Sequence, residues 1–100
     1  MKLLRHIVLF AYHDSVAEGD KVEVARRFGE LPGKIDLIDQ FEWGRNNSPE
    51  GLDHGYQHGF MVTFRSEAAR DAYLPHPAHQ EFVAFLKPFV KEALVFDYWT

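Results

Sequence analysis

Tyr73-Leu74-Pro75-His76-Pro77-Ala78-His79 cuts what would otherwise be one long helical stretch into two. Before it, Ser66 is placed to cap a short helix carrying Ala69, Ala72 and Tyr73, which Pro75 stops. After it, Pro77 suits a first helical turn, and Ala78, His79, Phe82, Val83, Phe85 and Leu86 make a broad apolar face that Pro88 ends. The prolines remove backbone donors and fix φ, so the segment is stiff and its phenol and two imidazoles are aimed.

Strand patterns surround this broken helix. His6, Val8, Phe10 and Tyr12 share one side of a first strand, and Ile7, Leu9 and Ala11 the other. Asp20 with Glu23 reads as a capping pair for a helix bearing Val24, Ala25, Phe28 and Leu31, which Leu31-Pro32-Gly33 would end. A second strand is expected from Leu37 to Gly44, a long hairpin loop from Arg45 to Gly55, and a third strand from Tyr56 to Phe64. Ala93 to Trp99 is the last strand. The order β-α-β-β-α-β predicts a single ferredoxin-like α+β domain over residues 1–100.

Four strands with helices on one side leave one sheet face bare. Both faces of the first and last strands are apolar: Leu94, Phe96 and Tyr98 on one side, Ala93, Val95 and Trp99 on the other. A patch of that size is expected to be covered by a second copy, sheet against sheet, as a homodimer.

Composition narrows the function classes. Hydrophobic residues make up 46% of the 100, which excludes a disordered chain. The formal charge of −4 and the scattered basic residues argue against nucleic acid as a partner. His58 to Phe64 superficially matches the aromatic strand of an RNA-recognition motif, but it lacks the leading Lys or Arg and falls out of phase. There is no cysteine, so disulfides and thiolate chemistry are ruled out. Apolar runs are too short to span a membrane, and the N-terminus does not read as a signal peptide. The expected setting is cytoplasmic.

His79 lies on the core-facing stripe of its helix, and Tyr73 on the apolar stripe of the preceding one. His6 and His58 come from strands that neighbour each other in this fold. If their faces coincide, three imidazoles and a phenol converge in one small interior, and each needs a partner. A helix corner with satisfied polar groups is the plainer account of a Tyr/His cluster; convergence of four such groups favours an acid–base pocket. His76-x-x-His79 resembles metal-ligand spacing, yet Pro77 pushes His76 into a cap and no Cys or carboxylate completes a set, so no metal is expected.

The chain resembles the stress-responsive dimeric α+β barrel family along nearly its whole length. The likeness runs through His6-Ile7-Val8-Leu9-Phe10, Trp43-Gly44, His58 with Val62-Thr63-Phe64, Tyr73 with His76-Pro77-Ala78-His79, and Val95-Phe96-Asp97-Tyr98. It implies a homodimer whose sheets close into a barrel, with a small cavity between sheet and helices in each subunit. Within the family the chain is similar to a plant polyketide cyclase. That similarity implies His79 as general base, Tyr73 holding the reacting carbonyl and His6 and His58 as supporting histidines, with no cofactor. His58, Phe10, Phe28 and Phe82 would line the substrate. The bulk of Phe10 and Phe28 departs from the cyclases and narrows the room for an acyl tail. The alternative function is a non-catalytic stress-responsive dimer that binds a small ligand. Three geometric expectations follow. His6, Tyr73 and His79 share one cavity, the Tyr73 hydroxyl lies within direct or water-bridged reach of His79, and His76 is more exposed than His79.

Overall fold

The computed structural model describes residues 2–100. Strand β1 (Leu4–Tyr12) is followed by α1 (Glu18–Lys34), β2 (Gln40–Arg45), β3 (His58–Phe64), α2 (Glu67–Tyr73), α3 (Pro77–Leu86) and β4 (Val90–Trp99). The sheet is antiparallel in the order β2-β3-β1-β4. This is the ferredoxin-like α+β layer expected from the element order, with the second helical region divided at the two prolines. Ser66 caps α2 by accepting from the Ala69 N–H, and His76 caps α3 by accepting from the Ala78 N–H.

Period-2 burial fixes which face meets the helices. His6, Val8, Phe10 and Tyr12 of β1 and His58, Phe60, Val62 and Phe64 of β3 are all buried on that side. The centre of the core is aromatic. Phe28 of α1 stacks on Phe60 with centroids 4.5 Å apart and meets Phe82 of α3 at 4.8 Å and Phe10 at 6.1 Å.

Several boundaries differ from the sequence reading. Helix α1 begins at Glu18 behind Ala17, which makes no side-chain cap, so Asp20 lies inside the first turn. Glu23 does not close a capping box; its carboxylate binds Arg26 and Arg27. The helix also continues through Pro32. Buried Leu31 and Ile35 anchor its last turn, where the Ile35 N–H donates to the Leu31 carbonyl at 2.8 Å. Strand β2 starts at Gln40 rather than Leu37, and Tyr56 belongs to the loop before β3. Strand β4 starts three residues before Ala93, because a bulge between the Ala11–Glu92 and Tyr12–Val90 pairs absorbs Lys91.

The faces of β4 bear on the interface. Val95 pairs with Val8, Asp97 with His6 and Trp99 with Leu4, so all three lie on the helix side. The outer face carries Leu94, Phe96 and Tyr98 beside half-buried Ile7, Leu9 and Met61, and Phe96 is 60% exposed. The uncovered apolar patch is therefore this second set, and Val95 and Trp99 are not part of it. Among the described residues, no helix is long and apolar enough to cross a membrane.

Candidate active site

The break between α2 and α3 builds the site. Leu74 ends α2, and its carbonyl would ordinarily accept from Ala78 four residues on. The Ala78 N–H instead goes to His76 Nδ1 at 3.1 Å. The freed Leu74 carbonyl accepts from His79 Nδ1 at 2.8 Å and from Gln80 Nε2 at 2.8 Å. A carbonyl can only accept, so His79 Nδ1 carries the proton and Nε2 is the basic nitrogen.

His79 lies over Tyr73 with ring centroids 4.4 Å apart, and Tyr73 meets the His6 ring edge-on at 6.0 Å. All three side chains line one cavity of about 480 Å³ between the sheet and the two short helices. Phe10, Phe28 and Phe82 line it as well. Tyr73 is fully buried, and among the described residues its hydroxyl has no hydrogen-bond partner. Direct contact between that hydroxyl and a His79 nitrogen is therefore not made. An unpaired buried hydroxyl costs about 1–3 kcal/mol. His76 and His79 are both half-buried, so burial class does not separate them.

Burial holds His79 below the ordinary imidazole value. The Leu74 bond opposes that shift, while His6 and His76 add to it. At neutral pH its ring is thus uncharged and able to accept a proton. Burial pushes the Tyr73 phenol well above its usual value, so it remains a protonated donor.

His58 is elsewhere. It shares the buried face with His6, but it pairs across from Phe10 while His6 pairs across from Val62. The two are four β1 positions apart, roughly 13 Å along the strand. His58 Nδ1 meets Tyr12 Oη at 2.9 Å under the Trp43 ring, and the residue does not line the cavity. The expected convergence of His58 with His6, Tyr73 and His79 is therefore not made.

Sequence reasoning missed Asp97 and Arg70. His6 Nδ1 donates to Asp97 Oδ1 at 2.7 Å, and an Arg70 guanidinium N–H donates to Asp97 Oδ2 at 3.1 Å. This chain ties β1, β4 and α2 together beside the cavity and fixes the His6 ring. A lone carboxylate in the apolar run Val95-Phe96-Asp97-Tyr98 was the available signal, but its partner emerges only from the β1–β4 register. Among the described residues, no group of three or more His, Cys, Asp and Glu side chains converges as a metal-binding set.

Residues 4–100 match the family model of the stress responsive A/B barrel domain. The chain belongs to that family. Among its relatives is the stress-response A/B barrel domain-containing protein HS1 of Arabidopsis thaliana, 34% identical over 95% of this chain and 87% of that protein. Olivetolic acid cyclase of Cannabis sativa is 28% identical over 95% of this chain and 94% of the cyclase. A dimeric ferredoxin-like protein of unknown function from Jannaschia sp. CCS1 superposes with a TM-score of 0.79 at 28% identity, covering 96% of this chain and 97% of that one. The stress-responsive barrel family thus includes a cyclase relative, and structural neighbours of this chain are dimers.

Proposed function

We propose that this chain is a homodimeric acid–base enzyme, acting without a cofactor on a small polyketide-like or aromatic carbonyl compound. The observation that carries the reading is the buried, unpartnered Tyr73 hydroxyl beside a neutral His79 whose Nδ1–H is committed to Leu74. The cyclase relative supports the substrate class, and a chain without cysteine suits a reducing, cytoplasmic setting.

In this reading His79 Nε2 removes a proton from a methylene flanked by two carbonyls. Tyr73 Oη–H donates to the carbonyl oxygen on which the enolate charge develops. The enolate carbon attacks a second carbonyl of the same molecule, forming the carbon–carbon bond. The resulting alkoxide takes the proton back from the His79 imidazolium, which completes an aldol closure. His6, held by Asp97 and Arg70, packs its ring against Tyr73 and keeps that wall in place.

The sign of the pH dependence follows from His79. The active form is neutral, and burial favours it, so turnover rises through a pKa below ~6.5 and is level above that. Tyr73 imposes no loss until well above its usual ~10. A panel of poly-β-keto thioesters assayed from about pH 5 to 9 tests the proposal. The expected result is turnover of at least one member with this acid limb, and failure to turn over any of them overturns it.

A further inference from the structure

Most of the cavity's lining is aliphatic or aromatic, and among the described residues it holds a single permanent cation, the Arg70 guanidinium. Arg70 stands one helical turn before Tyr73 and Leu74, so α2 presents all three to the same space. Its Nη1 donates to Asp97 Oδ2 at 3.1 Å and its Nε to Asp71 Oδ1 at 3.0 Å, while Nη2 has no partner among the described residues. The two carboxylates are held differently. Asp97 is half-buried and committed on both oxygens, one to Arg70 and the other to His6. The Asp71 side chain is 63% exposed and binds Arg70 through one oxygen. A solvated ion pair of that kind contributes little. Nε–H and Nη2–H lie along one edge of the guanidinium, the edge that grips a carboxylate with two parallel bonds. Half of that edge is open, and water can replace Asp71 on the other half.

We infer that this edge of Arg70 is a carboxylate anchor, and that the pocket's preferred ligand is a small keto acid. The inference rests on the cavity being a ligand site, as proposed above, and adds the chemical class. The ligand's carboxylate takes Nε–H and Nη2–H together, and Asp71 turns out to solvent. Its carbonyl then lies toward Tyr73 and His79, which line the same cavity. Neutral esters and thioesters enter without this contribution, because an ester carbonyl offers one neutral acceptor where a carboxylate offers two charged ones.

The test uses acetoacetate, levulinate and 5-oxohexanoate, each beside its methyl ester, so that the spacing between carbonyl and carboxylate is varied. Dissociation constants are measured by calorimetry and by amide chemical-shift titration, with the Arg70 Nε–H signal followed alongside. The readout is the ratio of acid to ester affinity within each protein, so a general weakening of the pocket cancels. In the wild type at least one acid binds about tenfold more tightly than its ester, the gain from a charge-assisted hydrogen bond. The Arg70 Nε–H signal moves with that acid and not with its ester. Arg70→Gln brings the ratio to about one. Asp71→Asn removes the competing carboxylate at unchanged size, and it raises the ratio above the wild-type value. A wild-type ratio near one, with the esters bound, overturns the inference and leaves the pocket as a ligand site. A ratio that survives in Arg70→Gln overturns Arg70 as the anchor. If Arg70→Gln does not fold, an unchanged ratio in Asp71→Asn does the same. Absence of binding by every acid and ester removes the ligand site itself, and both readings with it.

Discussion

His79→Ala lowers turnover of an accepted poly-β-keto thioester by about 10²–10⁴-fold, the range for a positioned general base. The loss falls mainly on kcat, because the proton is moved in the transition state and the cavity walls remain. The acid limb of the pH profile disappears with the imidazole. Tyr73→Phe costs less, since it deletes one hydrogen bond and preserves the ring that packs on Phe64, His6 and His79. It also removes an unpartnered buried hydroxyl, so Tyr73→Phe is at least as stable as the wild type while being slower. Denaturant melts beside the kinetics check both halves. A slower protein with unchanged or raised stability is the signature of a group placed for a ligand. A binding-only dimer predicts that both variants remain dimeric, with modest changes in ligand affinity and no turnover to lose.

Phe96→Glu converts the proposed dimer to monomer or aggregate at micromolar concentration. Phe96 sits on the outer sheet face between Leu94 and Tyr98, where no helix of its own subunit reaches. Covering a Phe side chain contributes roughly 1.5–3 kcal/mol, and two-fold symmetry counts the loss twice. The dissociation constant therefore weakens by about 10²–10⁴-fold, before the cost of burying an unpaired carboxylate is added. Phe96→Leu, which keeps the face apolar, remains dimeric. Light scattering coupled to size exclusion distinguishes the outcomes, and a dimeric Phe96→Glu protein would contradict an interface through this face.

The alternation of β1 and β3 was legible because a half-buried strand repeats every two residues, and His6 to Tyr12 and His58 to Phe64 obey it. The Ser66 and His76 caps and the Pro75–Pro77 break were legible because proline and cap chemistry act locally. Tertiary effects hid the rest. Pro32 marks a helix end by its own chemistry, yet the burial of Leu31 and Ile35 carries α1 past it. Alternation starts the last strand at Ala93, yet the bulge at Lys91 lets β4 begin at Val90.

The same division holds at the site. Face parity placed both His6 and His58 inside, but distance along the strand requires the β1–β3 register, which separates them. Asp97 and Arg70 join His6 through register and helix placement together, and neither is written in local spacing. Tyr73 and His79 were found because the helix break that aims them lies between them in sequence.

Solvent deuterium exchange at the methylene of a β-keto thioester, followed by proton NMR near neutral pH, tests the acid–base assignment most directly. It reads proton removal alone and does not depend on ring closure. The wild-type protein accelerates exchange over buffer, and His79→Gln, which keeps a side chain able to hydrogen-bond the Leu74 carbonyl, does not. Equal exchange with wild-type protein, His79→Gln protein and buffer would contradict the account.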